Sequence, residues 1–432
     1  MSMTRWETHT ECLERMFALR RFGIKLGLTT IRKILAGLGN PHRRYPCIHV
    51  AGTNGKGSVA SNLAAILMQS GYRVGLYTSP HLIRFNERIK INGTEISDTD
   101  IARLYRRVRR VLPDGREPTF FEFTTAMALD EFGCKKVDWA VIETGMGGRL
   151  DATNALSPEL SIITNISLEH REYLGHTLAE IAFEKAGIIK RRKPVVTGVK
   201  QASAYRVIEQ AAQKKSAPVF RLGAHFKFRR THGDRFTYSG INHTWPDMAT
   251  GLRGGYQAEN AALTLAACEL LMNKAPRIRL TTIHEGLMAN CWPGRLELAS
   301  ESPLVLLDGA HNLEAARQLA RHLSARFKDR SITMVIGILS DKPYPAMLRL
   351  LLPKAARLII TRAKVERALP PEKIAAVARR LISDIRIIPD VGSALRYAMQ
   401  TASPQSLTLV AGSLYVVGEA KAALENAPAH PG

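Results

Sequence analysis

The sequence predicts an α/β protein, with an N-terminal P-loop ATPase-like parallel-sheet domain followed by a smaller C-terminal Rossmann-like α/β domain. Three observations predict it. A short apolar strand at Cys47–Ala51 runs into the glycine-rich loop Gly52-Thr-Asn-Gly-Lys-Gly-Ser58, and helical periodicity follows from Val59 to Gln69. Val137–Ile142, apolar but for Asp138, and Leu160–Ile166 read as buried strands, as expected of a parallel sheet covered on both faces. Beyond Trp292-Pro-Gly-Arg295, strand and helix patterns alternate again, with no second phosphate loop.

A chain of 432 residues is too long for one ordinary core. The break at Trp292–Arg295 sets the expected domains at 1–295 and 296–432. Hydrophobic content of 45% and charged content of 23% are those of a soluble globular protein. No apolar run reaches membrane-spanning length and the start lacks a signal peptide's hydrophobic region, so a cytoplasmic protein with no membrane partner is expected. The five cysteines are scattered and form no C-x-x-C pair, which argues against a metal site or disulfide framework. A net charge of +23 invites a nucleic-acid reading. The arginines, however, are spread along helical stretches such as Arg103–Arg110, and no aromatic-rich basic module accompanies them. Solvated faces whose field attracts anionic substrates are the better reading, with no nucleic-acid partner.

In chain order, Thr10–Leu38 is helical in pattern, broken around Gly23 and Gly27. The phosphate loop comes next. Its glycines let main-chain N–H groups close on an anion, and the helix start adds unpaired N–H groups and partial positive charge. Lys56 supplies a mobile cation, and Ser58 a hydroxyl for a metal or phosphate. Gly57, inserted between them, departs from the common G-x-x-x-x-G-K-[ST] spacing.

Arg73–Thr78 reads as a strand leading into Ser79-Pro-His-Leu82, at a position where open α/β sheets bind ligands. Ser79 there is either a turn residue or a metal or substrate contact. Asp98–Val111 is a basic amphipathic helix. Phe120 and Phe121 suit a core, while Glu122 among apolar neighbours needs a partner if buried. Glu143 ends the strand Val137–Ile142 and opens a glycine-rich run to Asn154. A carboxylate there suits Mg²⁺, which takes oxygen ligands alongside phosphate oxygens; pairing of Glu143 with Arg149 within the turn is the competing reading.

His170 follows the next buried strand, in the topological place of the other candidates. Lys185, near the end of the helix Thr177–Ala186, would ordinarily be a solvated cation complementing the helix dipole. Phe226–Tyr238 resembles a β-hairpin. Asn260 lies in a long Ala- and Leu-rich helix, and Asp308-Gly-Ala-His-Asn312 ends a strand of the second domain.

Taken together these motifs resemble the folylpolyglutamate synthase and dihydrofolate synthase family, within the Mur-type ATP-dependent amide ligases. The resemblance runs over essentially the whole chain. It is carried by Gly52–Ser58, Thr78-Ser-Pro-His-Leu82 with Glu87-Arg88, Phe120-Phe-Glu122, Glu143–Asn154, His170, Leu174-Gly175, Glu184-Lys-Ala-Gly187, Pro293-Gly-Arg295 and Asp308–Asn312. It implies that Gly55, Lys56, Gly57 and Ser58 hold ATP phosphates, with further ATP contacts from Asn260, Arg295 and Asp308. It implies Mg²⁺, as two ions, on Ser79, Glu143, His170 and a carboxylated Lys185.

The pterin-bearing substrate would lie along Leu26–Thr29 (Gly27, Leu28 and Thr29), Thr119–Glu122 (Thr119, Phe120, Phe121 and Glu122) and Leu150–Ala152 (Leu150, Asp151 and Ala152). The implied partners are L-glutamate, ATP and dihydropteroate or folates, on a monomer. The implied reaction passes through an acyl phosphate, and both glutamylations are expected of one enzyme. His311 is a candidate for positioning or deprotonating the glutamate amine. Glu169-His-Arg-Glu172 is a local departure, because relatives commonly carry aspartate before the histidine.

Overall fold

The computed structural model describes residues 8–23 and 25–426, folded as two compact units. The first comprises most of the chain up to Asn290. It opens with helix α1 (His9–Ala18) and α2 (Thr29–Gly37), and the break between them falls at the glycines as expected. Strand β1 (Cys47–Ala51) then leads into α3 (Lys56–Gln69), followed by β2 (Val74–Tyr77), β3 (Ile89–Ile91) and β4 (Thr94–Glu95). Helices α4 (Asp98–Arg110) and α5 (Phe120–Cys134) precede β5 (Trp139–Glu143) and β6 (Leu160–Ile163). After these come α6 (Arg171–Leu174), α7 (Leu178–Ala186), β7 (Val195–Thr197), α8 (Ala202–Gln213) and β8 (Val219–Arg221).

The eight strands form one sheet in the order β4-β3-β2-β5-β1-β6-β7-β8. Strands β2, β5, β1, β6, β7 and β8 are parallel, and the β3–β4 ribbon adds antiparallel to β2 at one edge. The loop-bearing strand β1 is therefore central, paired with β5 on one side and β6 on the other. Its five residues are all buried, as the apolar run requires. Helices α1, α2, α4 and α5 pack against one face, with Ile31, Ile34, Leu104, Met127 and Phe132 in a core that also holds Cys47, Ala140 and Ile142 of the sheet.

The expected hairpin is the start of a separate antiparallel sheet, β9 (Lys227–Arg230), β10 (Phe236–Ser239) and β11 (Thr244–Met248). Its third strand carries Pro246 and, at Asp247, a φ of 56°, so it lacks the uninterrupted alternation by which strands are read. Helices α9 (Gln257–Leu271) and α10 (Leu280–Ala289) complete this unit.

The second unit runs from Cys291 onward and also takes in Leu82–Arg84 and Leu252–Tyr256. It contains β12 (Glu297–Glu301), β13 (Leu304–Asp308), α11 (Leu313–Arg326), β14 (Ser331–Ile336), α12 (Tyr344–Leu351) and β15 (Arg357–Ile360). Helix α13 (Pro371–Ala378), β16 (Ile385–Ile387), α14 (Val391–Gln400), β17 (Ser406–Ala411) and α15 (Leu414–Glu425) follow. The sheet order is β12-β13-β17-β14-β15-β16, all parallel except for the β12–β13 pair. Leu82 is built tightly into this unit: a Cβ on Gly418 would fall 2.0 Å from the Leu82 carbonyl oxygen.

Candidate active site

The strand-to-helix turn after β1 is shaped by its neighbours. Gly55 is the N-cap of α3 with φ +82°, a left-handed conformation that favours glycine, and a Cβ there would meet Asn260 Oδ1 at 2.5 Å. Asn260 and Gln257, both on α9, are buried. Asn260 Nδ2 donates to Gln257 Oε1 at 2.9 Å, and Gln257 Nε2 donates to Ser58 Oγ at 3.3 Å. The loop is tied down on its other side by the end of β6. Thr53 N–H donates to the Asn165 carbonyl at 2.9 Å, Asn54 N–H to Asn165 Oδ1 at 2.9 Å, and Thr164 Oγ1 to the Asn54 carbonyl at 2.6 Å. The helix begins at Lys56, earlier than its apolar periodicity indicated. Lys56 and Ser58 thus occupy its first turn, where unpaired N–H groups face outward.

Glu143, at the carboxyl end of β5, is buried. Its Oε2 accepts the Ser79 N–H at 3.1 Å and its Oε1 lies 4.0 Å from Lys56 Nζ. The in-turn pairing with Arg149 is not what forms. Arg149 pairs with Glu184 instead, Nη2 to Oε1 at 2.9 Å, and its guanidinium lies over the Phe183 ring. Glu143, Ser79, Lys56 and Ser58 are thus brought to one end of the sheet.

Lys185 is not a solvated cation. It is buried on α7, and its Nζ donates to the Gly52 carbonyl at 2.7 Å. Burial, with the Lys56 charge in support, pulls its ammonium down to about 7, against opposing pulls from Glu169 and Asp151. His170 is the N-cap of the short helix α6, with φ +49°, and its Nε2 is 3.5 Å from Glu169 Oε1.

The donor set fits a hard divalent cation. Among the described residues no three His, Cys, Asp or Glu side chains cluster as an all-protein metal site. A carboxylate and serine residues beside a phosphate loop are instead what Mg²⁺ uses when substrate phosphates complete its shell. Thr144 Oγ1, next along the chain from Glu143, is buried without a hydrogen-bond partner.

A second group of side chains surrounds the glycine-rich run after Glu143. Gly27 N–H donates to the Leu150 carbonyl at 3.4 Å, which joins two of the stretches expected to hold substrate. Leu28 is half-buried and Thr29 exposed at the start of α2, and Ala152 is buried. Phe121 packs where a Cβ on Gly145 would otherwise sit, 2.5 Å away, and its ring lies 6.1 Å from that of Tyr77. Phe120 stacks on Phe17 with centroids 5.6 Å apart, and the guanidiniums of Arg20 and Arg88 lie over its ring.

Glu122 is buried and has the partners it needs. It closes a capping box with Thr119 at the start of α5, and its Oε1 accepts from Arg116 Nη2 at 2.5 Å. Arg116 also donates to Thr30 Oγ1 at 2.7 Å. Asp151 likewise spends its carboxylate within the loop. Oδ2 accepts the Met146 N–H at 2.8 Å and Oδ1 the Thr153 N–H at 3.0 Å, and burial raises its pKa against these hydrogen bonds.

In the second unit, Asp308 ends β13 and accepts the Leu296 and Ala310 N–H groups, both at 2.9 Å. Burial raises its pKa, opposed by Arg295. His311 Nδ1 donates to the Gly309 carbonyl at 2.8 Å, and Arg295 Nη1 reaches the same carbonyl at 3.4 Å. These three expected residues therefore form one constellation. Residues beside these groups to which sequence reasoning assigned no role of their own include Phe17, Arg20, Arg116, His49 and Thr153. For His49 the available signal was a polar side chain inside an otherwise apolar strand.

Two family patterns match this chain: the Mur ligase middle domain over residues 50–268, and the Mur ligase glutamate ligase domain over residues 294–414. A dihydrofolate synthase/folylpolyglutamate synthase of Bacillus subtilis is 36% identical over 416 residues, which cover 94% of this chain and 96% of that one. Two solved structures are similar throughout. Escherichia coli FolC in complex with DHPP and ADP has a TM-score of 0.89 and 30% identity, covering 97% of this chain and 99% of that one. A bifunctional folylpolyglutamate synthase/dihydrofolate synthase of Yersinia pestis, complexed with AMPPNP and Mn ion, has a TM-score of 0.87 and 32% identity, covering 97% and 98%.

Proposed function

The chain belongs to the folylpolyglutamate synthase/dihydrofolate synthase family of the Mur ligase superfamily, and on that premise we propose how its residues serve an ATP-dependent, ADP-forming amide ligation. It joins L-glutamate to dihydropteroate, forming dihydrofolate, and to folate glutamates, forming folylpolyglutamates. The observation that carries the residue-level reading is Glu143. It is held at the end of a central strand by the Ser79 N–H and faces Lys56 in the first turn of the phosphate-loop helix.

A carboxylate is a poor acyl donor, so the substrate carboxylate first attacks the γ-phosphorus of ATP. The bond to ADP breaks and an acyl phosphate forms. Positioning and charge compensation supply most of the rate in such a transfer. Here the N–H groups of Gly55–Ser58 and the Lys56 ammonium receive the developing negative charge, with Asn260 shaping the loop. When bound, Mg²⁺ would be held by Ser79, Glu143 and His170 and would neutralise charge on the transferring phosphoryl group.

The amine of glutamate then attacks the acyl carbon, its proton leaves, and phosphate departs from the tetrahedral intermediate. His311 is assigned to this amine, its ring oriented by the Gly309 carbonyl; Arg295 and Asp308 are assigned to ATP. Leu26–Thr29, Thr119–Glu122 and Leu150–Ala152 are assigned to the pterin-bearing substrate. Glu122 and Asp151 act there through the backbone they hold. The boundary near residue 295 separates the ATP-binding part from the glutamate-ligase part, and the protein acts as a cytoplasmic monomer.

Lys185 is assigned to a carbamate. Near neutral pH a large share of it is the free amine, which adds CO₂ to give N-carboxylysine and a proton. The resulting anion suits a second Mg²⁺. Partial rescue of Lys185→Ala by short carboxylic acids would support this. No rescue, together with an unmodified mass for the wild type after gentle ionisation, would overturn it.

The deciding experiment is a substrate panel. Dihydropteroate, a monoglutamyl folate and a diglutamyl folate are each incubated with ATP, Mg²⁺ and glutamate, and product mass is followed. Products one glutamyl residue heavier are expected from all three. Product from one class alone would make the enzyme monofunctional, and ADP release stimulated by DNA or RNA without a pteroate would overturn the proposal.

A further inference from the structure

His49 lies in the middle of β1, three residues before Gly52, and is completely buried. Alternation along the strand puts its side chain on the face of Cys47, away from α3. Its Nε2 is 2.8 Å from Thr153 Oγ1. Thr153 stands in the 3₁₀ turn Ala152–Ala155, whose N-cap is Asp151.

The direction of the hydrogen bonds follows from the chemistry of the three groups. Thr153 has one hydroxyl proton, and at 2.5 Å from Asp151 Oδ1 it gives that proton to the carboxylate. Its oxygen must therefore accept from His49, so the imidazole carries its proton on Nε2. The other ring nitrogen agrees: Nδ1 is buried without a partner and so best carries no proton. Burial, aided by the Lys190 charge, lowers the pKa of His49 to about 3, and the ring remains neutral under all physiological conditions.

Asp151, at the end of this chain, accepts the N–H groups of Met146, Thr153 and Gly145, and so sets the shape of the loop between Glu143 and Asn154. We propose that His49 is a positioning residue for the pteroate-binding loop: its Nε2–H holds Thr153, and through it Asp151, so that the strand bearing the phosphate loop also fixes the backbone expected to receive the pterin-bearing substrate. The second half of this statement rests on the assignment of Leu150–Ala152 to that substrate; the relay itself does not.

The test compares His49→Gln, whose amide nitrogen reproduces an Nε2–H donor, with His49→Leu, which has similar bulk and no donor. Hydrogen exchange reads the relay without reference to activity. In His49→Leu the amides of Gly145, Met146 and Thr153 should exchange at least tenfold faster than in wild type, while amides of β1 and α3 are unchanged. His49→Gln should retain most of the protection. Steady-state kinetics should show KM for dihydropteroate raised about tenfold in His49→Leu, KM for ATP within twofold of wild type, and recovery in His49→Gln.

Unchanged loop protection in His49→Leu overturns the relay. Equal damage in both variants, spread over β1 and α3, reduces His49 to core packing and also overturns it. Lost protection with an unaltered KM overturns the link to substrate. Wild-type enzyme that glutamylates no pteroate or folate would refute the proposed function, leaving the exchange result to decide the relay.

Discussion

Lys185 Nζ donates to the carbonyl of Gly52, 2.7 Å away, so a helix late in the first unit holds the glycine that opens the phosphate loop. This places an amine, nearly without solvent contact, beside the Lys56 charge, and the two together account for a pKa near 7.

That pKa has a consequence for stability. In the unfolded chain Lys185 stays protonated to pH 10, close to its ordinary 10.5, whereas the folded protein releases the proton near 7. Between these values folding expels a proton, and stability rises with pH; below 7 the folded state carries the buried charge and its full cost. Lys185→Met, compared with wild type in carbonate-free buffer, should therefore gain stability on the order of 2 kcal/mol at pH 6. The gain should shrink steadily toward pH 9.5. Thermal melts across this range check it, and a difference that does not vary with pH would show that the lysine keeps its proton.

Lys56→Ala and Glu143→Ala remove the two charges that face each other at the phosphate loop. Each should lower ADP formation by about a thousandfold, the scale seen when a preorganised charge-stabilising group is lost. Both proteins should retain native circular dichroism, since the contacts removed, from Lys56 to the Thr53 carbonyl and to Glu143 and from the Ser79 N–H to Glu143, lie at the ends of strands and not in the packed core. Turnover close to wild type in either variant would refute the assignment.

Arg116 and Glu122 give a prediction for the substrate side. Glu122 is buried, while the Arg116 side chain is 36% exposed, so loss of the arginine should cost about 2 kcal/mol, less than for a fully buried pair. Arg116→Ala should also raise KM for the pteroate substrate several-fold, because Glu122 holds the N-terminus of α5 at Thr119, and should leave KM for ATP unchanged. Adding Glu122→Gln removes the stranded charge, and the double variant should melt higher than Arg116→Ala alone. Denaturant titrations of the three proteins check this.

Much of the first sheet was legible because its central strands are mostly apolar and stop at glycine, serine or acidic residues. Phosphate loop, Glu143 and Ser79 were readable as candidates for the same reason, each standing where a strand stops. Partnerships across long sequence distances were not readable. Nothing in the local pattern chooses Glu184 over Glu143 as the partner of Arg149, or says that Lys185 turns inward to a carbonyl 133 residues away. Capping duties were hidden in the same way. Glu122 and Asp151 look like ligand-binding carboxylates in one dimension, and three-dimensional neighbours reveal how much of each is committed to holding backbone. In the second unit, β12 and β16 escaped because both are short edge strands with polar or exposed residues.

The composition of the second unit bears on how the protein is made. Leu82–Arg84 and Leu252–Tyr256 belong to it, yet Leu82 leaves the ribosome long before Gly418, against which its carbonyl is seated. At ordinary synthesis rates that wait is tens of seconds. During it the growing chain carries a segment whose partner does not yet exist, and the first unit must form around that gap. Dividing the gene at residue 290 would make the gap permanent, so the two halves should be poor candidates for separate expression, and a successful complementation would require both to be synthesised together.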